Sequence, residues 1–177
     1  MAGQRLTDKT ALEEQAGSGD LLMVVDVNDT TGSSAGTSKK MDFKYVIQTD
    51  KFSLSNADVQ ALNTTPKILV GALSGYMVTP FNVTILTTYA SSTETSASNL
   101  YFGYDSSQTT LHWDKISRMM HTLTTSNTYV QGGAVASGGG VYTASIINRP
   151  FEMWSNSAFN GGWSADVYIT YAYTKIL

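Results

Sequence analysis

The chain has 177 residues, no cysteine and a formal net charge of −3, and only 14% of its residues are charged. That length sustains one sizeable core, and the missing cysteines remove disulfide frameworks, thiol nucleophiles, Fe–S clusters and Cys-ligated zinc together. Lys39, Lys40 and Lys44 come nearest to a basic stripe and are too sparse for the phosphate neutralisation on which nucleic-acid binding depends.

Met1-Ala2-Gly3-Gln4-Arg5 has no apolar stretch of the kind a secretory signal needs, and no apolar run approaches the roughly 20 residues of a membrane span. No nucleic acid and no membrane insertion are therefore expected. Serine and threonine supply 43 residues, beside 10 tyrosines, 3 tryptophans and 15 glycines. Thr, Tyr, Trp and Val suit a pleated, half-buried surface, while Gly, Asn and Ser suit the turns between strands. The composition points to a mainly β protein.

In chain order, residues 1–20 are polar, with a short helical turn conceivable where Thr10 and Glu13 form a capping box before Gly17-Ser18-Gly19. Leu21-Leu22-Met23-Val24-Val25, bounded by Asp20 and Asp26, has the length and branching of a buried strand. A Gly/Ser/Thr/Asp loop from Asn28 to Ser38 leads to a second strand or arm over Lys40–Ile47. Ser55 then caps a helix of about two turns, with Asp58 reaching back and Leu54 and Val59 forming a hydrophobic staple. Asn63-Thr64-Thr65-Pro66 ends it, because a residue before proline avoids helical geometry.

From Lys67 onward the pattern predicts strands. Ile68–Ala72 precedes a hairpin turn at Leu73-Ser74-Gly75. Met77, Phe81, Val83, Ile85 and Tyr89 alternate with polar residues, and Pro80 among them marks an edge or a bulge. Further strands are expected at Leu100–Tyr104, Thr110–Trp113, Tyr129–Val130, Val141–Ile147 and Phe151–Trp154. In the last strand Trp163, Ala165, Val167, Ile169, Tyr171 and Tyr173 line one face, and Ser164, Asp166, Tyr168 and Thr170 the other. The first set predicts a central position in the β-domain. Ile116, Met119, Met120 and Leu123 have helical spacing, which suggests a short crossover helix. About eight strands with short connections close most naturally as a sandwich or jelly roll.

Catalytic groupings are scarce. His112, Asp114 and His121 fit neither a helical pair nor a metallohydrolase motif, and two structural imidazoles are the simpler expectation. Gly71-Ala72-Leu73-Ser74-Gly75 sets its serine one place too late for a nucleophile elbow. Gly132-Gly133 and Gly138-Gly139-Gly140 lack the Lys-Ser/Thr of a phosphate loop. Asp26, Asn28 and Asp29 resemble the start of a calcium loop, but Thr31 and Thr37 occupy the places of its glycine and final glutamate. The glutamates, Glu13, Glu14, Glu94 and Glu152, have no recognisable catalytic context. No catalytic residue, metal or cofactor is expected, and the chain reads as non-enzymatic. Trp113, Trp154, Trp163 and Tyr168 form a candidate platform for sugar rings, with core packing the commoner fate of such residues.

Two stretches resemble known phage proteins. Asp20–Asp29 followed by Gly36-Thr37-Ser38-Lys39-Lys40-Met41 resembles an attachment module near the N-termini of phage fibre and appendage proteins. Leu54–Val70 is similar to the opening of a family of small phage virion proteins, whose chains end in a strand after a phrase like Asn148-Arg149-Pro150-Phe151 and a Gly-Gly turn, here Gly161-Gly162. Where that family has an Ala-Pro-Gly-Ala-Gly-Lys type turn, this chain has Gly71-Ala72-Leu73-Ser74-Gly75-Tyr76.

The resemblance implies a jelly-roll-like β-sandwich over 53–177, with a short helix, and an extended N-terminal attachment arm over 1–52. It implies a virion location, as a head fibre, capsid decoration or tail appendage of a tailed bacteriophage. The partners expected are other copies of the chain, most simply as a homotrimer, and other virion proteins of capsid or tail. Leu21, Leu22, Val24, Val25, Lys39, Lys40, Met41 and Phe43 are the candidate attachment and oligomerisation residues. A carbohydrate-binding adhesion module is the alternative, with Trp154, Trp163 and Tyr168 as candidate contacts to a host surface glycan. A glycan-cleaving enzyme is a third, weaker class.

Overall fold

The computed structural model describes residues 21–42, 46–104, 112–131 and 146–176. The expected Thr10–Glu13 cap, Phe43, Lys44, Thr110, the two glycine runs and most of the Val141–Ile147 strand lie outside these residues. Ile146 and Ile147 themselves are not in a strand.

The chain divides into two compact units, residues 1–46 and 47–177. The first contains β1 (Leu21–Asp26) and β2 (Thr37–Asp42), paired antiparallel as a two-stranded ribbon. The second contains β3 (Gln48–Leu54), α1 (Asn56–Ala61), β4 (Lys67–Val70), β5 (Tyr76–Tyr89), β6 (Leu100–Gly103), β7 (His112–Ile116), β8 (Thr128–Gln131), β9 (Phe151–Ser155) and β10 (Trp163–Lys175).

Two four-stranded sheets form in the second unit, ordered β3-β10-β5-β8 and β4-β9-β6-β7, with every neighbouring pair antiparallel. The pairing has a simple rule. First strand meets last (β3 with β10), then β4 meets β9, β5 meets β8 and β6 meets β7. One long antiparallel ribbon has been rolled up, and β10–β5 and β9–β6 are the contacts made by rolling it. This order is that of an eight-stranded jelly roll. β3 was not foreseen as a strand of this sheet: of the arm expected over Lys40–Ile47, residues 40–42 belong to β2 and residues 43–45 lie outside the described residues, and the division falls ahead of residue 52 because Gln48–Phe52 pair with β10.

Local chemistry sets each element. Ser55 caps α1 by accepting the Asp58 amide, and Asp58 accepts the Ser55 amide in return. Leu54 and Val59 on either side are 3% and 0% exposed, as a staple requires. The turn at Leu73–Tyr76 closes through Tyr76 N–H to Leu73 O at 3.1 Å. It is not a hairpin, because β4 and β5 lie in different sheets.

Pro80 does mark a bulge. Thr170 faces Asn82 and Tyr171 faces Pro80, so Phe81 is the extra residue. The bulge inverts the alternation. Val78 and Pro80 point inward before it, and Val83, Ile85 and Thr87 after it, while Phe81 is 46% exposed. Phe81 therefore lies outside the inward set in which simple alternation placed it.

The expected helix around Met119 is absent. Arg118, Met120 and Thr122 have φ of 50°, 58° and 61°, and the Met119 and Thr122 amides donate to Ser98 O and Glu94 O rather than up a helix. Met119 and Met120 are nonetheless 1% exposed. Their burial follows from where the turns deliver them, not from a helical face.

β10 lies between β3 and β5, the central position that its apolar set predicts. Trp163, Ala165, Val167, Ile169 and Tyr171 join the core with Val83, Ile85, Leu100, Phe102, Phe151 and Met153, whereas Ser164, Asp166, Tyr168 and Thr170 are half-buried. Ile169→Ala should cost about 2–4 kcal/mol through lost burial and a residual cavity, and Ser164→Ala no more than about 0.5 kcal/mol. Thermal melts of both variants check the register. A chain lacking residues 1–46 should melt cooperatively, whereas one lacking 1–54 should not, since it loses the strand that pairs first with last; circular dichroism distinguishes the two.

Candidate functional site

The β1–β2 ribbon is built by its loop. Asp26 Oδ1 accepts the Asn28 amide at 3.1 Å and Asp29 Oδ1 the Thr31 amide at 3.0 Å, turning the chain twice. Thr37 Oγ1 accepts the Gly32 amide at 3.0 Å. Gly36 has φ of 117°, and a Cβ there would lie 2.8 Å from Asp26 O and from Val25 Cγ1, so only glycine fits. Lys39 Nζ reaches Asp26 at 2.9 Å and Asp29 at 2.8 Å. These contacts hold both carboxyls below the usual aspartate value and raise Lys39. The Gly-Thr-x-Lys-Lys phrase thus acts first as a hairpin clamp. The Asp26-Asn28-Asp29 set, which resembled a calcium loop, has its carboxylates turned to this lysine.

The strands above the loop are apolar on both faces. Directly opposed residues of an antiparallel pair share a face. Leu21, Met23 and Val25 therefore stand with Asp42, Lys40 and Ser38, and Leu22, Val24 and Asp26 with Met41, Lys39 and Thr37. Leu21 is 56% exposed, Met23 70% and Val25 57%. Val27 beyond the strand is exposed too, while Val24 and Met41 are half-buried. An open groove of about 350 Å³ runs along Leu21, Leu22, Met23, Ser38, Lys39 and Lys40. The apolar run expected to be a buried strand is a strand, but no second layer covers it among the described residues of its unit. Met23 and Val27 join the candidate attachment residues; each is more exposed than Leu21, Leu22 or Val25.

The aromatic residues are placed differently from a sugar platform. Trp163 is 2% exposed, with Phe159 edge-on at 5.1 Å and its Nε1 donating to Glu94 Oε2 at 3.2 Å. Trp154 is also 2% exposed and stacks on Tyr101 at 5.7 Å and 12°. Neither ring offers an open face, so neither can stack on a sugar in this structure. Tyr168 is half-buried on the outer face of β10, with Lys51 Nζ 5.6 Å from its ring centre and Lys51 paired to Asp166 at 2.8 Å. His112 packs edge-on against Tyr101 at 5.3 Å, and His121 Nδ1 lies 2.9 Å from Ser96 O. Among the described residues no group of three or more His, Asp or Glu is placed to hold a metal.

Glu94, 1% exposed, is the residue that sequence reasoning passed over. Its carboxylate accepts the amides of Ser96 at 2.8 Å, Asn160 at 3.0 Å and Gly161 at 2.9 Å, as well as the Trp163 indole. Burial alone would raise its pKa; the donors from Ser96, Gly161 and Trp163 outweigh burial and hold Glu94 below the ordinary glutamate value. A Cβ on Gly161 would lie 2.9 Å from Glu94 Cα, and one on Gly162 would collide with Ser91 Oγ and Ser92 N. With four donors directed at it, this carboxylate is a structural knot rather than a general acid or base. The available signal was faint: one acidic residue within the otherwise uncharged run Ser91–Ser98.

Two outcomes follow for Glu94. Because its folded pKa is depressed, its contribution is complete above the ordinary glutamate value and lost as pH falls through the lower folded value. The melting temperature should fall over that acid window, and Glu94→Gln should flatten this part of the profile while costing roughly 1–3 kcal/mol at neutral pH. Gly161→Ala should cost about 1–3 kcal/mol by overpacking; calorimetry across pH measures both.

No family model matches the chain, and no curated protein matches it. Among solved structures, the cyanophage Pam1 capsid asymmetric unit aligns at 12% identity over 96% of both chains, with a TM-score of 0.33. The full particle of Israeli acute paralysis virus heated to 63 degree aligns at 9% identity over 94% of both chains, with a TM-score of 0.28. Deformed wing virus, a honeybee pathogen, aligns at 11% identity over 100% of this chain and 59% of its own, also with a TM-score of 0.28. Values this low decide neither family nor fold, and the jelly-roll assignment rests on strand order and register.

Proposed function

We propose that this chain is a non-enzymatic structural component of a bacteriophage virion, a head fibre, capsid decoration or tail appendage. In this reading it docks to a neighbouring virion protein through the β1–β2 ribbon and presents its jelly roll as part of a homotrimer. One observation carries the reading: a rigidly clamped hairpin bears Leu21, Met23 and Val25 at 56%, 70% and 57% exposure. An isolated two-stranded hairpin is marginal in water, and exposed apolar residues on both of its faces mark an interaction surface. Its similarity to phage attachment modules, through Gly36-Thr37-Ser38-Lys39-Lys40, suggests what kind of surface receives it. Jelly rolls serve in both capsids and lectins, so fold alone does not select between them. The burial of Trp154 and Trp163 weighs against a lectin and leaves Trp113 and Tyr168, both half-buried, as the platform residues with ring surface to offer.

Each apolar side chain buried on docking contributes about 1.5–3 kcal/mol, roughly tenfold to a hundredfold in affinity. Met23→Lys with Val25→Lys should therefore strip the protein from particles grown with the variant while the melting of the 47–177 unit stays unchanged; undiminished incorporation would remove the docking assignment. Light scattering of the purified chain should give the mass of a trimer, and a stable monomer at micromolar concentration would contradict that part. If the adhesion alternative holds instead, Tyr168→Ala should abolish a signal on a glycan array.

A further inference from the structure

The chain contains a single Asn-Gly step, Asn160-Gly161, and it lies in the Glu94 knot. Asn-Gly is the dipeptide most prone to succinimide formation, because a residue without a Cβ lets its amide nitrogen approach the preceding side chain. In that reaction the Gly161 nitrogen loses its proton to base and bonds to Asn160 Cγ. The Cγ–Nδ2 bond then breaks, and the nitrogen leaves as ammonia after taking up a proton. Water opens the resulting cyclic imide to aspartate or isoaspartate.

Every participant is held here. The Gly161 N–H donates to Glu94 Oε2 at 2.9 Å, so the nucleophile faces a carboxylate, and removing its proton there would set two negative charges together. Asn160 Oδ1 accepts the Thr95 amide at 2.9 Å and the Ser96 amide at 3.2 Å, while Nδ2 donates to Thr95 Oγ1 at 2.9 Å. The electrophile is thus fastened to Thr95 and Ser96, and the nucleophile to Glu94 beside them. Asn160 is exposed to solvent base, but Gly161 is buried.

We propose that Asn160-Gly161 is a deamidation site that Glu94 and Thr95 hold shut, and that it reacts only when this loop opens. Once formed, the product cannot return to the native knot. Isoaspartate inserts a methylene into the backbone where Gly161 already approaches Glu94 within the space of a single Cβ. Aspartate places a second carboxylate beside Glu94. A single opening long enough for reaction is thereby recorded as permanent damage.

Peptide-mapping mass spectrometry of the purified full chain at mildly alkaline pH, with isoaspartyl labelling as a second readout, tests this. Conversion at Asn160 should be at least about tenfold slower in the native protein than in the urea-unfolded chain, as for any reaction gated by local opening. Glu94→Gln and, independently, Thr95→Ala should accelerate native conversion at Asn160 while Asn56 and Asn127 remain unchanged, which separates loop opening from global unfolding. Thr95 is exposed, so its variant remains informative should Glu94→Gln fail to fold. Equal rates in native and unfolded chains, or an unaltered rate in a folded variant at Thr95, would overturn the proposal.

Discussion

The jelly roll is closed by a carboxylate whose described hydrogen-bond donors are all neutral. An ionised group taken out of water is costly unless its lone pairs are filled, and Glu94 fills them with amide and indole donors from its own loop and from the segment leading into β10. The same residue's carbonyl accepts the Thr122 amide, so three stretches far apart in sequence converge on one position. Gly161 and Gly162 allow the approach, since any side chain there would displace Glu94 or Ser92. The knot fixes where β10 begins. Because β10 pairs with both β3 and β5, its starting point sets the register of the sheet's central ladder.

The two units solve the problem of apolar surface differently. In residues 47–177 two sheets bury each other's inward faces, and Val83, Ile85, Phe102, Phe151, Val167 and Ile169 are all fully buried. In the described part of residues 1–46 the ribbon gains order from polar contacts at its tip, through Lys39, Asp26, Asp29 and Thr37, while no other described residue of the unit covers its apolar strands. Shape is thus set by the loop and stickiness by the strands. A preformed, apolar, edge-bearing hairpin is suited to joining another protein's surface, since little ordering remains to be done on binding. That is the physical basis of the proposed attachment role.

Short-range patterns were legible. The Ser55–Asp58 capping box, the Leu54 and Val59 flanks, the bulge at Pro80 and the inward face of β10 each depend on residues within a few positions of one another. So does the β character of the chain, which follows from Thr, Tyr and Val in alternation. What periodicity misjudged shares a cause as well. The helix around Met119 and the inward placement of Phe81 were inferred from apolar spacing, and the burial of Leu21–Val25 from the length and branching of an apolar run. Spacing records that residues are apolar, not which surface will receive them.

By itself, then, the sequence determined the kind of elements, their caps and most of their order, because those depend on backbone preferences acting over a few residues. Tertiary structure alone decided that first strand meets last, that β3 belongs to the sandwich, that Trp154 and Trp163 are enclosed, and that Glu94 has four donors around it. Each of those depends on at least one contact between groups more than fifty residues apart, such as Tyr101 and Trp154, Glu94 and Gly161 or Gln48 and Tyr171. Such partners are chosen by the closing of the roll, and nothing local to either residue specifies the other.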